Sequence, residues 1–198
     1  MSKQLGIYVN QQFCTGCKTC QIACKDKHDL EVGANLLRLK EFSGGGFTRV
    51  GEAFEPHVWA YWVPVYCNHC TAPTCVAACP VGAIHKSAAD GVVSIDPDAC
   101  IGCRICLDSC PYGSLQFSEK EQKAKKCDLC ADYRAEGKEP SCVISCPMRV
   151  LGWGEVETIQ EEHPEAVTGL RGLPDPDVTR PNTLYTPHRH ALREAGHE

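Results

Sequence analysis

The sequence predicts an α+β chain of short strands and short helices, with something other than a large aliphatic core at its centre. Three observations lead there. Sixteen of the 198 residues are cysteine, a fraction typical of disulfide scaffolds and metal-loaded proteins. These cysteines fall into four sets of four, each ending in C-x3-C, which is an internal repeat. Around the sets run short alternating or β-branched pieces and short helical pieces, with no long periodic helix. The hydrophobic content of 43% excludes a disordered chain, and no stretch approaches the ~18 consecutive apolar residues of a membrane span, so a water-soluble chain is expected. A formal charge of -5 is the wrong sign for neutralising phosphates, which excludes nucleic acid as the main partner.

The segment MSKQLGIYVNQQFC has no apolar h-region, so any export is expected to depend on a partner. Its GIYVN piece reads as a strand. The first set follows, Cys14, Cys17, Cys20 and Cys24 in CTGCKTCQIACK, with QIACKDKH as a short helix. Between Cys24 and Cys67 lie 42 residues in which NLLRLKEF and HVWAYWVPVY flank Ser43-Gly44-Gly45-Gly46. This insertion reads as a β-hairpin laid over the cysteine sets. The glycines read as its flexible turn, since no Lys-Ser/Thr or helix start follows to make a phosphate cradle. Trp59, Tyr61 and Trp62 read as packing or partner surface.

The second set is Cys67, Cys70, Cys75 and Cys79 in CNHCTAPTCVAACP, with VAACP helical. Strand pieces Ala83-Ile84-His85 and VVSID lead through a Pro97-Asp98 turn to the third set, Cys100, Cys103, Cys106 and Cys110 in CIGCRICLDSCP. Ser114 to Phe117 reads as a strand. The fourth set is Cys127, Cys130, Cys142 and Cys146, its middle gap widened to eleven residues. Beyond it come VLGWGEV, an acidic helix in ETIQEEHPEA, and a tail in which Pro174, Pro176, Pro181 and Pro187 argue against a regular helix or a central strand. The tail is expected to be extended, ordered by lying on another chain or on its own. His28, His57, His85, His188 and His190 read as solvated or packing residues. His69, inside CNHC, reads as a hydrogen-bonding or shielding group beside a metal centre rather than a ligand.

The spacing fits a cubane [4Fe-4S] cluster, which needs one thiolate at each of four separate corners. Three cysteines three residues apart wrap one side of a cube. The fourth, after x3 on a short helical turn, points away and is free to ligate a second cube. Proline suits the next position because it ends the turn and has no N–H to satisfy. Disulfides fit poorly, since three cysteines within seven residues offer few non-local pairs. Zinc sites usually join two separated pairs rather than three close thiols and a fourth. A thioredoxin-like role lacks a βαβ setting.

Sharing of fourth ligands leaves two pairings open, inner with inner and outer with outer, or nearest neighbours. The 20 residues between Cys79 and Cys100 favour the first. It gives the clusters Cys14/Cys17/Cys20/Cys146, Cys24/Cys127/Cys130/Cys142, Cys67/Cys70/Cys75/Cys110 and Cys79/Cys100/Cys103/Cys106. With four thiolates each, four [4Fe-4S]2+ cores take the charge from -5 to about -13. Lys18, Lys25 and Lys27 flank the first set and Lys120, Lys123, Lys125 and Lys126 precede the fourth. They can raise local potentials by favouring the reduced form. No GxGxxG, phosphate loop, zinc-protease helix or nucleophile elbow is present. Every cluster has four ligands and no iron is left open to substrate, so the chain reads as an electron wire and not a catalyst.

FCTGCKTCQIACKD, CNHCTAPTCVAACPVGAIHK, ACIGCRICLDSCPYG, KCDLCADYRAEGKEPSCVISCP and TRPN together resemble the four-cluster electron-transfer subunits of the dimethyl sulfoxide reductase family of molybdenum oxidoreductases, over about residues 5 to 185. The resemblance implies two ferredoxin-like halves with a pseudo-twofold relation, residues 1–35 with 120–160 forming the outer one and 63–119 the inner. Residues 36–62 are then the hairpin insertion and 161–198 a partner-binding tail. It further implies a place between a molybdopterin catalytic subunit and a quinol-oxidising membrane anchor, with Cys14, Cys17, Cys20 and Cys146 nearest the molybdenum and Cys100, Cys103, Cys106 and Cys79 nearest the membrane. Association with the membrane on the periplasmic side, by co-export with the catalytic subunit, is expected. Some relatives carry Trp at the position of Cys103 and hold a [3Fe-4S] cluster; here a full cube is expected. A stand-alone polyferredoxin carrier and a zinc-stabilised interaction module are the competing readings.

Overall fold

The computed structural model describes residues 3–192. Strand β1 (Leu5–Asn10) is buried at most of its positions and lies at the centre of a three-stranded sheet. On one side it pairs antiparallel with β10 (Leu151–Glu155), Ile7 opposite Trp153, and on the other parallel with β11 (Thr183–Thr186), Ile7 opposite Thr183. The rest of the sheet structure is two-stranded. β6 (Ile84–Lys86) pairs with β7 (Val93–Ile95), and β8 (Gln116–Ser118) with β9 (Lys123–Lys125). β1, β6, β7 and β8 match the strand pieces of the sequence to within a residue or two, whereas no strand was expected at β9 or β11.

The helices are short: α1 (Thr19–Lys27), α2 (Thr74–Ala77), α3 (Ile105–Ser109), α4 (Ala131–Ala135) and α5 (Ser141–Ile144), followed by α6 (Val156–Glu162) and α7 (Pro176–Thr179). Among the described residues no helix is long and apolar enough to cross a membrane. One core joins β1, the buried face of the insertion and the cysteines of α1 and α5, and a smaller one packs Ile84, Val93 and Leu115 around Cys75 and Cys106.

The insertion departs from a single hairpin with a turn at Ser43–Gly46. β2 (Arg38–Gly44) and β5 (Trp59–Val65) form the stem, and a second ladder, β3 (Phe47–Val50) with β4 (Ala53–Pro56), continues beyond it to a turn at Gly51-Glu52. The glycines mark the junction of the two ladders. Gly45 has φ +87°, and a Cβ there would overlap the His57 carbonyl, so only glycine allows the strands to approach at this bend. The stem covers cysteines, but the tip does not: every residue of β3 and β4 is exposed.

The tail also departs from expectation. It contains one turn of helix, α7, because Pro176 occupies the N1 position, where a missing N–H costs nothing, and the Asp175 side chain caps the turn. It then supplies β11 at the edge of the sheet, with all four residues buried. His188 stacks on Tyr61 and His190 on Trp59, so these histidines pack on the insertion stem. Residues 193–198 lie outside the described residues.

Candidate metal centres

Local backbone geometry repeats in the cysteine loops. In the first set Gly16 and Lys18 have φ of 68° and 62°; in the third Gly102 and Arg104 have 71° and 65°. Each left-handed pair curls a C-x-G-C loop and delivers it to α1 or α3. In the second and fourth sets a proline, Pro73 or Pro140, caps the single-turn helix that carries Cys75 or Cys142. Gly16 is required twice over, by its φ and by the Trp62 indole of the stem, which a Cβ would overlap. The insertion therefore closes over the first loop.

The structure gathers eight of the sixteen thiols into two hollows and places the others where they influence one another. Cys14, Cys17, Cys20 and Cys146 line one shallow hollow, roofed by Leu39 and Pro64 of the stem. Cys79, Cys100, Cys103 and Cys106 line another. The other eight thiols act on one another, and Cys20 acts on Cys24 and Cys142 as well. The Cys142 thiol is pushed up by burial and then by Cys24 and Cys130, and Cys127 by burial and then by Cys24, Cys67 and Cys142. Cys75 is pushed up to about 12 by burial and by Cys67, with Cys110 and Cys70 also near.

The groups form a row. α1 gives Cys20 to the first and Cys24 to the second, while α5, packed on α1, gives Cys142 to the second and is followed by Cys146 of the first. Cys127 of the second group feels Cys67 of the third. α2 and α3 repeat the exchange between the third and fourth, tied by the Thr74 hydroxyl donating to the Ser109 carbonyl at 2.8 Å. The row ends in exposed cysteines, Cys17 and Cys103. Each exposed end has an apolar rim: Phe13, Ile144 and Met148 beside the first group, Val81, Ile101 and Ile105 beside the fourth.

This donor set fits iron-sulfur clusters. Each group offers four sulfurs and little else. Burial, with neighbouring thiols adding to it, pushes Cys20 and Cys24 up to about 12 and Cys70 and Cys106 to about 11. Cys17 is held low by the Thr19 hydroxyl. Cys79 is held low against burial by backbone N–H groups of residues 81–84. A further sign is His69, 1% exposed. Its Nδ1 accepts the Val93 N–H at 3.0 Å, which places the imidazole proton on Nε2, and Nε2 has no partner among the described residues. A buried donor beside Cys67 and Cys70 with no acceptor among the described residues suits a cluster sulfur.

Several contributors had no role assigned from the sequence, although Thr179 and Asn182 lie in its TRPN motif and Lys86 ends the motif of the second set. The tail clamps the second cysteine loop: Asn182 Nδ2 donates to the His69 carbonyl at 2.7 Å, Thr183 Oγ1 to Asn68 Oδ1 at 2.7 Å, and the Thr179 hydroxyl lowers Cys70 against the larger effect of burial. Lys86 Nζ donates to Gln4 Oε1 and to the carbonyls of His69, Cys70 and Gly91. His28, Asp128 and Cys130 hold their donor atoms within 4.8 Å of one another, at the edge of the second group.

Comparison with known proteins agrees with this chemistry. Residues 58–156 match the 4Fe-4S dicluster domain family. The chain is 41% identical over 188 residues to the beta chain of anaerobic dimethyl sulfoxide reductase from Escherichia coli (strain K12), covering 95% of this sequence and 91% of that one. It is 36% identical over 190 residues to the corresponding Haemophilus influenzae protein, covering 96% and 92%. The beta subunit of sulfite dehydrogenase from Allochromatium vinosum is 32% identical over 202 residues, covering 94% and 84%. With its cysteine repeats and this similarity along nearly its whole length, the protein belongs to the family of dimethyl sulfoxide reductase beta chains, which are iron-sulfur, non-catalytic electron-transfer subunits.

Proposed function

We propose that the four thiol groups hold four [4Fe-4S] clusters, and that the chain conducts electrons from a quinol-oxidising membrane anchor at its Cys103 end to a molybdopterin catalytic subunit at its Cys17 end. The observation that carries this reading is the row of four groups, buried in the middle and exposed at both ends. Each bound cluster supplies a one-electron couple.

The residues of this chain do the rest. α1 with α5, and α2 with α3, fix the separation of neighbouring groups by carrying a ligand for each. Tyr61, Val63, Val65 and Tyr66 keep water from the interior, each at most 4% exposed. The apolar rims around Cys17 and Cys103 are the surfaces on which redox partners would seat, since desolvated contact shortens the path to an exposed ligand. The repeated loop geometry of the first and third sets, and of the second and fourth, supports two ferredoxin-like halves. The names of the relatives favour a sulfoxide as the acceptor of the complex, and association with the outer face of the membrane would follow co-export with the catalytic subunit.

Metal analysis of anaerobically purified protein tests the cluster content: about 16 iron per chain with matching sulfide is expected, and about four zinc would overturn it. Co-purification tests the subunit role. A monodisperse, partner-free holo-protein would favour a free carrier instead.

A further inference from the structure

Seven lysines flank the first and fourth cysteine sets, and six of them have ordinary fates. Lys18 and Lys120 are exposed, Lys27 pairs with Asp132 and Lys125 with Glu121. Lys25 and Lys123 reach backbone carbonyls at the surface. Lys126 is different. It is 7% exposed, and its Nζ donates to the carbonyls of Val93 and Cys127. Among the described residues it makes no ion pair. Asp128 and Glu121, which line the same hollow, are engaged by the Cys130 N–H and by Lys125. An ammonium taken out of water needs a compensating negative charge.

Lys126 is held by the carbonyl of Cys127 and by that of Val93, which shares a core with Cys75, and its charge also falls on the buried His69. The Lys126 charge acts on Cys127 of the second group and on Cys75 of the third, so it sits where the two middle groups of the row meet. It is also tied to Val93, the residue whose N–H orients His69. Lys86 offers a contrast within the same molecule, because the thiols its charge faces, Cys70 and Cys67, belong to the third group, and it also faces the Asp90 carboxylate.

We propose that Lys126 is the counter-charge shared by the two middle clusters and holds both at raised potential. This rests on the four-cluster reading above. Reduction adds one negative charge to a cluster, and a fixed cation in a low-dielectric interior favours that state. Lys126 is thus a positioning residue for charge: it keeps the two buried stations of the row near one another in potential, where an unpaired drop in either would interrupt transfer.

The test is a redox titration of the intact complex, followed by electron paramagnetic resonance, with Lys126→Gln, Lys126→Arg and Lys86→Gln. In Lys126→Gln the reduced-to-oxidised ratio at fixed applied potential is expected to fall about tenfold for two clusters, equivalent to about 59 mV for a one-electron couple. Lys126→Arg is expected to stay at wild-type values and Lys86→Gln to lower one cluster only. Unchanged potentials in fully loaded Lys126→Gln overturn the proposal, as does a shift confined to one cluster. Should Lys126→Gln fail to load iron, normal loading of Lys126→Arg supports the need for charge, whereas failure of both assigns Lys126 to shape and overturns it. Iron and sulfide counts on the unmutated complex separate failure of this proposal from failure of the four-cluster reading.

Discussion

The side chain of Asn182 and the backbone carbonyl of His69, 113 residues apart, are joined by a buried 2.7 Å hydrogen bond. The same asparagine receives further support from its own N–H, which donates to the Asn68 carbonyl at 3.0 Å. Without the amide, the His69 carbonyl keeps Lys86 at 3.2 Å and a long contact to Gln4 at 3.5 Å. Loss of one partner from a buried group costs about 1–3 kcal/mol. Asn182→Ala is therefore expected to lower the melting midpoint by several degrees and to reduce iron content by up to one cluster. Wild-type melting and full iron would show that the tail does not hold this loop.

The tautomer of His69 leads to a second expectation. With Nδ1 accepting from Val93, the Nε2 proton has no acceptor among the described residues, and a cluster held by Cys67 and Cys70 would offer it a sulfur. An exchangeable proton coupled to one reduced cluster should be visible by electron-nuclear double resonance. His69→Leu should remove that coupling while the protein still binds iron. Persistence of the signal in the variant would mean that the proton belongs to another donor.

Short-range features of this molecule were legible in the sequence, and long-range ones were not. The strands around Ile7, Ile84 and Val93 and the helix at Cys20 follow from local periodicity and loop spacing. Spacing left two set pairings open, because which thiols meet depends on how α1 packs against α5 and α2 against α3. The tail misled for a physical reason: prolines disfavour helix interiors, yet Pro176 stands at a first turn, where that objection vanishes. The second ladder of the insertion was hidden by its glycines, which usually signal a turn and here mark a bend. Burial of Lys126 among three exposed or half-buried lysine neighbours is invisible to composition, since the four carry the same charge and differ only in where the fold places them.

Gly16 links the insertion to the first cysteine loop. Its left-handed φ costs any other L-residue about 1–2 kcal/mol, and a methyl pressed into the Trp62 indole adds overpacking of about 1–3 kcal/mol. Gly16→Ala should therefore destabilise the loaded protein and selectively perturb the cluster beneath Trp62. In Gly16→Ala combined with Trp62→Ala, the overpacking part should be relieved and the backbone part should remain. Equal stabilities of the single and double variants would argue that the indole yields freely.

Cys103 is exposed at one end of the row, among Cys79, Cys100 and Cys106. Cys103→Ser is expected to perturb that cluster alone and to stop reduction of the complex by quinol. Reduction by a small artificial donor with access to the other clusters should continue. Unchanged turnover with quinol would refute the assignment of this end to the membrane partner.

The buried thiols also set a pH dependence that distinguishes empty from loaded protein. Burial first raises Cys20 and Cys24 to about 12 and Cys70 and Cys106 to about 11, neighbouring thiols adding to it and the Thr179 hydroxyl opposing it at Cys70, against an unfolded value near 8.5. Above that value the unfolded chain has released protons which the folded empty chain still holds. The unfolded state then binds fewer protons, so stability falls as pH rises. The empty protein should accordingly lose melting temperature between about pH 8.5 and 10.5. Loaded protein has already given up those protons to ligation and should show no loss from these groups in that window. For the same reason, reconstitution with iron and sulfide at pH 7 should release close to one proton per ligating cysteine and become more favourable toward pH 9. Parallel melting curves for empty and loaded protein across that range, or reconstitution without proton release, would show that the thiols are not the ligating groups.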